Sequence, residues 1–329
     1  MLRVGLIGCG GIGKVHAAVW SEMTDKASLV AIAELDREKW ATAICSSETK
    51  FYEDAIEMMQ KENLDIVDIC TPSASHAKLI TIAADYVKNI IVEKPICLYE
   101  KDADELIKLA KEKDVTVHVG QVDRFLPQNK YLKELVDNGK YGKLLSGYFF
   151  HLSPDPTWVV DRNNPAKTGG MALDLHVHDV DLIRHVMGGD PDDVSSVVHK
   201  RTDGTVDHIW SSYRYGDAVI TAECCWDYPV CMPFVQGFRV RLEGATLHYP
   251  GNSDLVVYPA DGEAFIPELD VIETRDLGIN VDDFGIFADE LSAFADHAIE
   301  GKGKSPIPLT DGIGALRLIN RELDGANFK

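Results

Sequence analysis

The chain has 329 residues, 45% of them apolar, which is enough for two domains of ordinary size with real cores. Its formal net charge of −20 disfavours nucleic acid and anionic membranes as partners, and its plain consequence is solubility. No apolar stretch approaches the length of a membrane span, and the N-terminus enters a strand pattern without a basic or leader-like segment, so a cytoplasmic protein is expected. Of the seven cysteines, Cys224, Cys225 and Cys231 cluster, but without a paired C-x-x-C spacing. Reduced thiols and no structural zinc are the expectation.

From residue 1 to about 122 the pattern alternates strand and helix. Leu2–Ile7 reads as a buried strand, and Gly8, Gly10 and Gly13 follow with the spacing G-x-G-x-x-G. A helix pattern begins at once, over Ile12–Met23. The first glycine permits a tight turn, the second lets backbone approach a pyrophosphate, and the third lets helix pack close on strand. Free N–H groups at the helix start, with Gly11 and Ile12 beside them, then face the phosphates. Ser28–Glu34 is a second strand, and Asp36 caps a helix from Arg37 to about Cys45. Asp54–Lys61 is helical. Ile66–Cys70 is a strand stopped by Thr71-Pro72, and Ser75–Tyr86 is helical. Asn89–Val92 is a strand closed by Glu93-Lys94-Pro95. Lys101–Lys113 is an amphipathic helix, and Thr116–Val119 a last strand. This order predicts a parallel sheet with helices on both faces.

After Gly120 the texture changes. Asn129–Asn138 reads as helix, Leu144–Leu152 as a long strand, Pro154–Gly170 as a loop and Met171–Met187 as a helix. From Asp193 to about Tyr258, strands joined by Asp-Gly and Tyr-Gly-Asp turns form a mainly antiparallel meander. Two helices, about Phe284–Glu300 and Asp311–Gly325, end the chain. The fold class is therefore α/β, a Rossmann domain over residues 1–122 followed by an α+β domain over 123–329 with a large open sheet. An open sheet asks for a covering partner, so a homodimer or homotetramer through that sheet is expected.

Three groups carry chemistry. Glu34 lies 21 positions beyond Gly13, where a carboxylate can hydrogen-bond both ribose hydroxyls and repel a 2′-phosphate. NAD is thus favoured over NADP, although Arg37 lies near enough to weaken the preference, and a solvated strand-end carboxylate fits the same spacing. Lys94, pinned before a proline at a strand end, would lose pKa beside an oxidised nicotinamide; a surface lysine fits equally well. Finally, Asp174 and His178 are four apart and share a face if their segment is helical, as a general base and its orienting carboxylate would. A capping Asp174 and a packed His178 are the plain alternative. A metal here lacks the usual zinc-enzyme spacing, and none is expected.

Taken together these residues resemble the glucose–fructose oxidoreductase / inositol dehydrogenase family over essentially the whole chain. The resemblance rests on the glycine motif, Thr71-Pro72 with His76 following, Glu93-Lys94-Pro95, Arg124-Phe125 with Pro127, and Gly169-Gly170 followed by Asp174-x-x-x-His178-Asp179-x-Asp181. It implies a catalytic set of Lys94, Asp174 and His178. His178 would take a hydroxyl proton, Asp174 would bind a substrate hydroxyl, and Lys94 would hydrogen-bond the reacting oxygen. It also implies a cis peptide before Pro95 and cofactor contacts from Thr71, Pro72, His76, Glu93 and Lys94. Arg124, His151, Asp155, Trp158 and Arg162 would join the substrate site. Gln121-Val122-Asp123 departs from the aromatic residue and asparagine of many relatives, which bears on substrate identity.

The expected activity is NAD-dependent oxidation of a secondary hydroxyl on a cyclitol or sugar, inositol 2-dehydrogenase-like. The small polyhydroxylated substrate would be the partner. Two alternatives stand: an NAD-dependent glycosidase of the same family, and a non-catalytic cofactor-binding regulator.

Overall fold

The structure, a computed structural model, describes residues 1–157, 161, 164–202, 204–278 and 283–328, with residues 327 and 328 described by backbone alone. The chain forms two compact units, Met1–Phe125 with Ile272–Ile313, and Leu126–Val271 with Gly314–Lys329.

The first unit is built on a six-stranded parallel sheet of order β3-β2-β1-β4-β5-β6. Its strands are β1 (Leu2–Ile7), β2 (Ala27–Ala33), β3 (Lys50–Tyr52), β4 (Ile66–Ile69), β5 (Asn89–Glu93) and β6 (Thr116–Gly120). Helices α1 (Gly11–Glu22), α2 (Arg37–Trp40), α3 (Ala55–Lys61), α4 (His76–Ala83) and α5 (Glu100–Lys113) connect them. The central strands β4 and β5 are buried except at Asn89 and apolar except for Asp68, Asn89 and Glu93, as a sheet covered on both faces requires. Helix ends follow local chemistry. The Asp54 side chain caps α3 by accepting from Ile56 N–H at 2.7 Å. In α5, Glu100 and Asp102 occupy the first turn and Lys111 and Lys113 the last, each matched to the helix dipole.

A later helix, α9 (Phe284–Glu300), also belongs to this unit, so the single division at 122/123 is not how the chain's contacts fall. The reason lies in its apolar stripe. Phe287 packs 5.9 Å from the His16 ring of α1, and Phe294 packs 4.9 Å from the His118 ring of β6. Burying each such phenyl contributes about 1.5–3 kcal/mol.

The second unit carries an eight-stranded sheet of order β13-β12-β11-β7-β10-β9-β8-β14. Its strands are β7 (Leu144–Pro154), β8 (Asp193–Lys200), β9 (Val206–Tyr215), β10 (Ala218–Tyr228), β11 (Val235–Leu242), β12 (Ala245–Tyr249), β13 (Val256–Pro259) and β14 (Asn327–Phe328). Pairing is antiparallel except for β7 with β10 and β8 with β14. Burial alternates along β9, the mark of a sheet with one covered face. Its helices are α6 (Pro127–Asn138), α7 (Pro165–Thr168), α8 (Val177–Met187) and, from Gly314 onward, α10 (Leu309–Asp324). Met171, Val198, Ile209, Cys224 and Trp226 form a core on the covered face.

Local expectations change in several places, and α7 puts one helical turn inside the loop expected over Pro154–Gly170. The helix after Asp36 is one turn long, ending at Trp40, although Asp36 does cap it through Glu38 N–H. Strand β3 escapes the sequence pattern because three residues at a sheet edge give no periodicity to read. The helix expected over Met171–Met187 begins as a π turn at Ala172–His176 and becomes α-helical at Val177. Asp174 therefore lies in wider winding, and four residues to His178 are not one α turn.

The glycine turn sets tolerances that can be tested. Gly8 has φ +92°, and a Cβ on Gly13 would lie 2.2 Å from the Gly8 carbonyl oxygen. No neighbour lies within 4 Å of a Cβ built on Gly10. Gly13→Ala should cost about 1–3 kcal/mol or more. It should lower the thermal midpoint by about 2–4 °C per kcal/mol lost. Gly10→Ala should leave the midpoint unchanged within a degree or so; equal loss in both variants, read by calorimetry, would contradict this account of the turn.

Candidate active site

In the first unit the expected cofactor residues gather at the C-terminal ends of β1, β2, β4 and β5, where parallel sheets bind ligands. Gly8 N–H donates to the Ala33 carbonyl at 2.8 Å, tying the glycine turn to the end of β2. Glu34 is fixed on the same turn: its Oε2 accepts from Cys9 N–H at 2.8 Å and its Oε1 from Asp36 N–H at 3.0 Å. Gly10 sits at the N-cap of α1 without a capping side chain, and the first turn holds no acidic residue. Gly11 is exposed and Ile12 half-buried beside it. The uncapped helix start and the space beside Gly10 fit the pyrophosphate of a dinucleotide. Arg37 faces elsewhere. It pairs with Glu53, lies 5.4 Å from the Trp40 ring centre and is largely exposed.

Thr71 and Pro72 follow β4, with the Thr71 hydroxyl 2.7 Å from that of Ser75. His76 is buried, its Nδ1 2.8 Å from the Pro95 carbonyl oxygen and its Nε2 2.8 Å from that of Thr71. Its ring thus links the turn after β4 to the one after β5. The Lys94–Pro95 peptide is cis. Lys94 is half-buried, and its N–H donates to the Glu93 carboxylate at 3.2 Å. The other Glu93 oxygen lies 3.3 Å from Nε2 of His16.

That contact opens a buried network the sequence reading missed. His16 Nδ1 lies 2.9 Å from Asp68, which also accepts from the Trp20 indole N–H at 2.7 Å. Nearby on α9, Glu290 is fully buried, and burial first, then the Glu93 charge, hold its carboxyl well above the ordinary range. Asp68 did leave a signal, as the one charge inside the apolar run Ile66–Cys70. Arg124, expected near substrate, is buried on a 3-10 turn, with Nη1 donating to Asp311 at 2.9 Å.

In the second unit, Asp174 and His178 are half-buried, while His176 and Asp179 are buried. The His178 ring lies against that of His151 on β7, centroids 5.8 Å apart and planes 26° from parallel. His151 is buried, with Nδ1 2.7 Å from Asp179 Oδ1 and Nε2 against the Gln236 side chain. Burial pushes Asp179 up, but the two histidines beside it outweigh that and hold it below the ordinary range. Asp179 was visible only as part of a motif, and Gln236 gave no signal, since its role depends on β11 pairing with β7. Asp155 lies 3.7 Å from Arg201 in a half-exposed pair. Trp158 and Arg162 fall outside the described residues.

Residues 2–121 match the family model described as "Oxidoreductase family, NAD-binding Rossmann fold", and residues 129–248 match the GFO/IDH/MocA C-terminal domain. The chain is 34% identical over 197 residues to a myo-inositol 2-dehydrogenase of Thermotoga maritima, an alignment covering 59% of this chain and 57% of that protein. It is 27% identical over 252 residues to a 2,7-anhydro-N-acetylneuraminate hydratase of Mediterraneibacter gnavus, covering 75% of this chain and 63% of that protein. The chain thus spans less than two thirds of the length of these curated relatives. Among solved structures, a levoglucosan dehydrogenase in complex with NADH and levoglucosan shares the fold with a TM-score of 0.84 at 21% identity, covering 98% of this chain and 96% of that one. With matches across both halves and a glycine turn, a Glu93-Lys94-Pro95 strand end and an Asp174-to-Asp179 segment in place, the chain belongs to the GFO/IDH/MocA family of oxidoreductases.

Proposed function

We propose that this protein is an NAD-dependent dehydrogenase that oxidises a secondary hydroxyl of a cyclitol or sugar, in the manner of an inositol 2-dehydrogenase. The observation that carries the reading is the seat of His178. Its ring is half-buried and rests on His151, which is itself fixed by Asp179. A base so backed keeps its orientation while remaining open to substrate. The name of the Thermotoga maritima relative supports the cyclitol class.

In this reading His178 accepts the proton of the reacting hydroxyl. Asp174, half-buried one segment earlier, accepts a hydrogen bond from a neighbouring hydroxyl and so orients the ring. Lys94 donates to the reacting oxygen and stabilises the charge that develops on it. NAD, when bound, supplies the acceptor for the hydride. Glu34, held by Cys9 N–H, takes the adenosine ribose hydroxyls and favours NAD over NADP, and Arg37 is engaged with Glu53. The exposed Trp210 and Val219 on the uncovered side of the second sheet support self-association through that sheet.

The hydratase relative favours a second reading, a net redox-neutral reaction at the same residues in which the hydride returns to the substrate within one turnover. The two part on one measurement. With inositols and pyranoses, NADH should accumulate under the first reading, whereas product without NADH would favour the second.

Lys94→Ala and His178→Ala should each lower kcat by about 10²–10⁴-fold; turnover left intact in either would sink the assignment. Gly10→Ala, by filling the space beside the turn, should weaken NAD binding about tenfold or more, equivalent to about 1.4 kcal/mol. Titration calorimetry would show it. Reduction of NADP as readily as NAD would refute the role given to Glu34.

A further inference from the structure

Beneath the His178 seat lies a buried charged group that the chemistry above does not use. His176 has no exposed surface, and Asp179 and Glu322 are each 1% exposed. Every polar atom of the ring faces a carboxylate: Nδ1 lies 3.2 Å from Asp179 Oδ2 and Nε2 lies 3.1 Å from Glu322 Oε2. The Tyr213 hydroxyl lies 3.4 Å from the same Nε2, and Cys224 completes the surroundings. A neutral imidazole has one N–H, so it would leave one carboxylate facing a lone pair in a dry interior. Only an imidazolium donates to both.

We propose that Asp179 and Glu322 hold His176 as a standing imidazolium, and that His176 is thereby a positioning residue for His178, acting through Asp179 and His151. The transmission is geometric. Asp179 presents one oxygen to His176 and the other to His151 Nδ1, so two donors fix the plane of its carboxylate. Removal of one donor frees that plane to turn, and the His151 ring on which His178 rests loses its fixed partner. Burial alone would discharge the ring, but Glu322 and Asp179 outweigh it and lift His176 to about 9. The groups facing it come from four elements: Asp179 of α8, Glu322 of α10, Tyr213 of β9 and Cys224 of β10. The positioning half rests on the reading of His178 as the base.

The test uses the full chain with ring-labelled histidine. By NMR, His176 should titrate at about 9 in the wild type. Glu322→Gln, nearly isosteric, should lower that value by about one unit or more, a tenfold shift in proton affinity. A wild-type ring that titrates near 6.5 overturns the imidazolium. In turnover with NAD and a cyclitol, His176→Ala, which removes the donor to Asp179, should lower kcat about tenfold with KM within about twofold, and His176→Asn, whose amide can replace the Nδ1 donor, should restore most of it. An unchanged kcat in His176→Ala, or a loss in it that His176→Asn does not restore, overturns the positioning. Absence of any NAD-linked turnover in the wild type overturns the role given to His178 and the positioning with it, while the NMR result on the imidazolium stands.

Stability should follow the same proton. The folded-state value lies above the unfolded one, so the contribution is complete below about pH 6.5 and is lost as pH rises through about 9. The gap in urea midpoint between wild type and Glu322→Gln should therefore persist at full size through neutral pH and close only as pH rises through about 9. A gap that does not change with pH would contradict the charged ring.

Discussion

The first unit depends on the Gly8 carbonyl oxygen standing 2.2 Å from where a Cβ of residue 13 would be. That approach brings the start of α1 against the end of β1, which leaves the helix's first N–H groups at the rim of the sheet. It also places Cys9 N–H where Glu34 can accept from it, so the carboxylate is fixed by backbone and needs no further support. Gly10, between the two, has open space around it. One steric constraint thus sets the turn, the orientation of an acidic side chain and an uncapped helix start.

The second unit reaches rigidity by the opposite route. Where the glycine turn works through side chains left out, the segment around Asp179 works through charged side chains kept in. His151, His176, Asp179 and Glu322 are all buried, and each is held by another of the set. Such groups are costly to bury and costly to leave half-paired, so the arrangement admits few alternatives. The π turn at Ala172–His176 is part of this economy, because it carries His176 into the interior while Asp174 stays half-exposed.

Sequence alone reached far in the first unit, because a parallel sheet announces itself by apolar runs punctuated with Gly and Pro. The strand over Leu2–Ile7 needed no adjustment, and the cap at Asp36 was chemically explicit. It reached less far where meaning depends on distant pairing. Nothing near Glu322 says that it will face His176, 146 positions earlier, and nothing near Gln236 says that it will meet His151. Arg124 belongs to a recognisable motif, yet nothing near it says that its guanidinium will pair with Asp311, 187 positions later. Lone polar residues inside apolar runs, such as Asp68, were the signal that could have led to the buried networks.

The return of residues 272–313 to the first unit has a consequence for how the protein is made. All six strands of the Rossmann sheet have been translated by Gly120, but α9 is complete only at Glu300. At about 5–20 residues per second, ribosomes need on the order of 10–35 s to cover that interval. Throughout it, the His16 ring of α1 and the His118 ring of β6 lack the phenyl rings of Phe287 and Phe294 that later pack on them. The sheet of the first unit is therefore synthesised well before the helix that completes its core, with residues 126–271 of the second unit made in between.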